Sequence, residues 1–246
     1  TLMPEQNIIV KYSLYAGPKS TKILEDQGFD ASINLPAMLD YGWFHIIAKG
    51  MFDLMMFIDG YVGSLAIAII LVTVLLKIVL FPLASKSYKS MAHMRKIQPE
   101  MKKLQEKHGD DRQALSMEMM ALYKKHGVNP ASGCWPMLVQ IPIFFAMYKV
   151  ILMSFEFRQA EIGLWIHDMS VRDPFFVLPI LMGLTMILQQ RMNPQPLDDT
   201  QKMVMNIMPI VFTALFLFFP SGLVLYWLTN NVLSIAQQYI IMKREG

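Results

Sequence analysis

The sequence predicts an all-α, polytopic membrane protein, on three observations. Hydrophobic residues fill 54% of 246 positions and charged residues only 17%, and mean hydropathy is +0.37. That balance is foreign to a soluble core. Apolar runs recur at 61–81, 133–155, 174–188, 203–219 and 222–242, and each is read as one spanning helix, five in all. No series of alternating strands of the kind that builds a membrane barrel is present.

The elements follow in chain order. Residues 1–40 read as the tail of a β-rich outer domain, with β-branched and aromatic residues from Asn7 to Tyr15 and a turn at Gly17-Pro18. Residues 41–60 read as an amphipathic helix in the outer interface, its apolar run interrupted by Lys49, Asp53 and Asp59. Residues 61–246 form the five-helix core. Within it, 85–126 reads as a cytoplasmic αα-hairpin. Tyr88, Met91, Met94, Ile97, Met101 and Leu104 recur at helical spacing, as do Leu115, Met119, Leu122 and Tyr123. Gly109-Asp110-Asp111 supplies a turn and an N-cap between the two. Six of the 22 methionines lie in this hairpin, which suggests adaptable apolar surface for varied partners. The plainer reading is a solvated linker between spans.

Charge sets the orientation. With residues 1–60 outside, segment 82–129 lies inside with ten Lys/Arg against five Asp/Glu. Arg191, Lys202, Lys243 and Arg244 bring the inside total to fourteen, against six outside. An outer N-terminus calls for an upstream signal or anchor, so the sequence is expected to be truncated. The lone cysteine, Cys134, cannot form an internal disulfide and receives no role.

One cation, Lys77, interrupts the first span. Either its long stem snorkels to the near interface, or it serves a hydrated site inside the membrane. Thr73 lies one turn away on the same face. No acidic residue lies deep in any span to neutralise Lys77, while Gln140, Gln189, Gln190, Asn230, Asn231, Ser234, Gln237 and Gln238 gather toward the cytoplasmic half. Such groups must pair, face water or line a cavity. For Gln140 and Ser234 ordinary interhelical bonding is favoured. The third and fourth spans are short enough to thin the bilayer.

Absent motifs exclude several chemistries. None of the five histidines lies in a span, and there is no HExxH, Walker or GxGxxG motif and no Cys/His cluster. Ser221-Gly222 lacks a histidine partner for nucleophilic catalysis. Intramembrane acids and repeats that mark ion-coupled transporters are missing. A solute channel or carrier, and an intramembrane enzyme built on Ser221, remain the alternatives.

Several stretches together carry a family resemblance. They are Met91-Ala92-His93-Met94-Arg95 with Ile97-Gln98-Pro99, Gly109-Asp110-Asp111, Val128-Asn129-Pro130 leading to Gly133-Cys134, Gln140-Ile141-Pro142-Ile143-Phe144, Leu164-Trp165-Ile166-His167-Asp168, and Phe219-Pro220-Ser221-Gly222-Leu223-Val224-Leu225-Tyr226-Trp227. From Tyr41 onward the chain resembles the YidC/Oxa/Alb membrane protein insertase family. The resemblance implies an inner-membrane protein whose hydrophilic groove opens to cytoplasm and lipid and is closed outside. It implies groove residues Lys77, Thr73, Gln189, Gln190 and Trp227. Lysine stands where many members have arginine, which keeps the charge and loses the planar fork. Client helices are expected along Met137, Ile141, Phe144, Phe212 and Phe216. The implied partners are nascent membrane proteins and the lipid bilayer, with the Sec translocon, ribosome and signal recognition particle pathway beside them. No catalytic residue, cofactor, metal or nucleic-acid binding is expected.

Overall fold

The computed structural model describes residues 16–20, 23–24, 40–108, 111–129, 133, 135–194 and 199–245. The expected strand-rich segment from Asn7 to Tyr15, the Gly109-Asp110 turn and Cys134 lie outside the described residues. Among the described residues the architecture is helical, and pairing of the strand type is limited to one isolated bridge, Gly163 to Ile166.

After a short 3-10 turn at Gly42–Phe44, α1 runs His45–Val62 and ends on Gly63, whose φ of 68° is the left-handed cap that glycine adopts without strain. Helix α2 is Leu65–Val79 and α3 is Phe81–His108. These corrections apply to the first expected span, 61–81. Gly63 breaks it at the start, so Tyr61 and Val62 belong to α1. At the other end the chain bends by 67° between α2 and α3. Pro82 explains the bend, since it donates no backbone hydrogen bond and disfavours helix at the residue before it. The span proper is thus only 15 residues, about 22 Å at 1.5 Å per residue.

Helix α4, Arg112–Lys125, completes the hairpin, with Asp111 as N-cap accepting from the amides of Gln113 and Ala114 at 3.0 Å. The two stripes largely pack on each other: Ile97 and Met101 of α3 meet Leu122 and Val128, flanked by Met94, Leu104, Met119 and Tyr123. Three of the six hairpin methionines, Met94, Met101 and Met119, are therefore internal packing, while Met117 and Met120 are exposed. Tyr88 and Met91 turn away from that cluster toward the membrane helices.

Helices α5 (Trp135–Met153), α6 (Val177–Met192), α7 (Asp199–Phe216) and α8 (Ser221–Glu245) follow. Among the described residues, by length and apolarity, α5 could cross a membrane, and α2 with α3 could do so as one bent pair, whereas α6 and α7 are shorter apolar helices. Helix α8 is the central post, packing on α2, α3, α5 and α6, while α7 packs chiefly on α6 and touches α5 and α8 through Phe216. It is buried from Ser221 through Tyr226 and again at Asn230, Asn231, Ser234 and Gln238. Its start is seated by loop carbonyls: Val171 accepts from Ser221 N at 2.7 Å and Met169 from Gly222 N at 3.0 Å.

Candidate functional site: an intramembrane cleft around Lys77

A cleft of about 460 Å³ opens between the N-terminal halves of α5 and α7, backed by α8 and roofed by the start of α3. Lys77, in the last turn of α2, reaches into it. A cation there complements the unpaired carbonyls at a helix C-terminus. Its Nζ does not run out along the helix axis. It donates across to Ser234 Oγ of α8 at 2.6 Å, which displaces the snorkelling reading. Among the described residues no carboxylate lies within ion-pair distance of Lys77.

Amides furnish most of the other polar wall. Gln238, fully buried, donates to Asn193 Oδ1 at 2.9 Å. Asn231 donates to Thr185 Oγ1 at 3.2 Å, and Gln190 to Asn206 Oδ1 at 3.2 Å. Gln140 donates to the buried Tyr226 hydroxyl. Trp227 borders the cleft with its Nε1 buried and without a hydrogen-bond partner among the described residues.

The cleft is apolar and open on its flanks and stoppered at the end where α8 begins. On α5 the lining stops at Gln140, and on α7 at Pro209. Beyond that level Phe144, Phe212, Phe216 and Trp227 interlock, with ring centroids 5.0 to 6.3 Å apart. Below it, exposed Met137 of α5 and exposed Val204 and Met208 of α7 line the cleft.

The expected site residues divide accordingly. Lys77, Gln189, Gln190, Trp227 and Met137 line the cleft. Thr73 lines not this cleft but a small adjoining cavity shared with Lys77, Gln140, Tyr226 and Asn230; it is 1% exposed and its hydroxyl donates back to Ile69 O at 2.7 Å within its own helix. Ile141 is exposed but does not line the cleft. Phe144 and Phe212 belong to the aromatic stopper, and Phe216, 2% exposed, is buried in it and offers no contact surface. Ser221 is fully buried and its hydroxyl donates to Asp168 O at 3.2 Å, a structural role with no histidine beside it. Ser234, Tyr88, Asn193 and Met208 were not anticipated as cleft residues. The signal for Ser234 was present: Tyr226, Asn230, Ser234 and Gln238 recur every four residues, a polar stripe on one helix face. Near the end of α8, Glu245 Oε1 meets Lys89 Nζ of α3 at 3.0 Å, with His93 and Lys96 around it. The hydrogen bond from Lys89 holds the Glu245 carboxyl below the usual range.

Comparison with known proteins bears directly on this site. Residues 57–246, which contain the whole cleft, match the family model described as 60Kd inner membrane protein. The chain belongs to that inner-membrane protein family. Residues 1–54 match a second model, the YidC periplasmic domain. Similar relatives are the proteins named membrane protein insertase YidC of Hahella chejuensis, 51% identical over 244 residues, and of Francisella tularensis subsp. novicida, 52% identical over 243 residues. That of Magnetococcus marinus is 50% identical over 239 residues. These alignments cover 97 to 99% of this chain but 42 to 43% of each relative. The chain thus spans less than half the length of the relatives it matches. A crystal structure described as an active YidC insertase with its first transmembrane domain resolved matches with a TM-score of 0.64. That match has 27% identity and covers 80% of this chain and 47% of the other. The all-α membrane fold is the family's.

Proposed function

We propose that this chain carries the membrane-inserting core of an insertase, which moves short polar tails partway across the inner membrane and releases client helices into lipid. The observation that carries the proposal is a cation without a carboxylate partner, in a cleft walled by amides and open between two apolar helices. A polar group entering bare hydrocarbon loses its hydrogen bonds at a cost of several kcal/mol. Inside the cleft, Lys77 and the amides substitute for water, and an acidic tail is drawn toward the cation. The aromatic stopper limits the passage to part of the bilayer, and the 15-residue α2 fits a membrane thinned beside it. The client helix then leaves between α5 and α7 along Met137, Ile141 and Met208.

In this reading residues 1–40 belong to a periplasmic domain and 41–60 lie on the outer surface. The 85–126 hairpin and the C-terminus are then cytoplasmic. Nascent membrane proteins are the clients, and the protein works alone or beside the Sec translocon, supplied by ribosomes and the signal recognition particle pathway. No bond is made or broken, so no catalytic residue is required. The names of the relatives lend the channel or carrier alternative no support.

The test is insertion of a single-span client with an acidic tail by the full-length protein in proteoliposomes. Lys77→Arg is expected to stay within about twofold of wild type, and Lys77→Glu to fall at least fivefold. Equal insertion by Lys77→Glu would refute the role of the charge, and solute flux without client would revive the carrier.

A further inference from the structure

We infer that Ser234 is the positioning residue of the cleft. It fixes where the Lys77 charge sits. The inference rests on the insertase reading and adds a residue and a direction of hydrogen bonding to it.

A serine hydroxyl has one proton and two lone pairs. The Ser234 proton is committed, because Oγ donates to Asn230 O, four residues back, at 2.7 Å. The lone pairs are therefore what the hydroxyl presents to its other neighbours. One receives Lys77 Nζ at 2.6 Å. Ser234 is itself 4% exposed, so its orientation is held by packing. One turn on, Gln237 Nε2 donates to the backbone carbonyl of Lys77 at 3.4 Å. Helix α8 thus grips both ends of the same lysine, its backbone and its ammonium.

This matters because the cation is lysine. An ammonium on a four-carbon stem has no shape of its own and many rotamers, unlike a guanidinium fork. With one N–H fixed on Ser234, the other two are left for the cleft, where they suit the carboxylate of an acidic tail.

The experiment uses the full-length protein in proteoliposomes and two clients that differ only in an acidic or a neutral tail. The readout is the ratio of their insertion. Ser234→Ala is expected to lower that ratio three- to tenfold, Ser234→Thr, which keeps a hydroxyl in place, to restore it to within twofold, and Lys77→Gln to lower it as far as Ser234→Ala does. A ratio unchanged in Ser234→Ala, or not restored by threonine, overturns the inference. A second readout does not depend on insertion: the rate at which a small water-soluble acylating reagent modifies the Lys77 amine, followed by mass spectrometry. Release of the ammonium in Ser234→Ala is expected to change that rate at least threefold, with threonine again restoring it. An unchanged rate overturns the positioning role. If the rate changes but Lys77→Gln leaves the client ratio untouched, Ser234 positions Lys77 as inferred and it is the insertase reading of the charge that fails.

Discussion

Replacing Gly183 by alanine drives a methyl group into the neighbouring helix that walls the cleft. A Cβ built on Gly183 of α6 lies 2.1 Å from Thr213 Oγ1 of α7, with Thr213 Cβ at 3.2 Å and Cγ2 at 3.3 Å. The first distance is more than an ångström short of ordinary contact. Two responses are open. Thr213 can rotate, which sacrifices its bond to Pro209 O at 2.7 Å, a net loss of about 0.5–1.5 kcal/mol, and an unfavourable rotamer adds a similar amount. Alternatively the helices spread, and overpacking of this kind costs about 1–3 kcal/mol. Either route predicts a destabilisation of about 1–3 kcal/mol, consistent with small residues serving close helix approach in membranes. The assay is a double-mutant cycle of Gly183→Ala with Thr213→Ala, read as thermal unfolding in detergent micelles. Removing Oγ1 and Cγ2 relieves the closest contact, so the double variant should recover at least about 1 kcal/mol over additivity. Strict additivity, or a Gly183→Ala variant as stable as wild type, would refute the packing argument.

Two further predictions concern the ends of the bundle. Asp173, 1% exposed, accepts from Trp165 Nε1 at 2.9 Å, Phe175 N at 3.0 Å and Leu178 N at 2.8 Å, tying the loop between α5 and α6 to the start of α6. Asp173→Ala should therefore cost roughly 2–3 kcal/mol in the same unfolding assay, and a loss below about 0.5 kcal/mol would count against the cap. At the other end, the Glu245 carboxyl is held below its ordinary value by Lys89. A depressed acid stabilises the contact above the unfolded value, about 4.3, and loses that contribution as pH falls through the lower folded value. Spin labels at positions 98 and 242 should thus report one α3–α8 distance at pH 7 and a broadened distribution only below about pH 4. Broadening already at pH 6 would contradict the assignment to Glu245.

The fold class was legible because apolar runs in a low-charge chain leave few alternatives to membrane helices. The hairpin was equally readable, since Asp111 caps as its position suggests and the two apolar stripes meet. What hydropathy could not reveal was where a helix stops. Leucine and valine remain apolar through a bend, so Gly63 and Pro82 had to be weighed against the run from 61 to 81, and they prevailed. The site was half legible. An unneutralised lysine can be found by reading, and Gln189, Gln190 and Trp227 do join Lys77 around the cleft. Thr73 stands behind the cleft, lining a small adjoining cavity with Lys77, and its hydroxyl is satisfied on the carbonyl four residues back, as a helical threonine's can be. Phe216 shows the converse. An aromatic on a membrane helix is equally suited to lipid, client or packing, and only the neighbours Phe144 and Trp227 decide that it is packing. Ser234 was taken for ordinary interhelical glue, because its importance depends on which side chain comes across from another helix.

The central claim is that a client leaves the cleft between α5 and α7, and photo-crosslinking tests it most directly. A photoreactive residue is placed at 137 on α5, at 208 on α7, or at 71 or 75, which are exposed on α2, and the full-length protein is presented with a stalled nascent single-span client. The account predicts strong adducts from 137 and 208 and background from 71 and 75. Adducts of equal strength from the α2 positions, or none from 137 and 208, would contradict it.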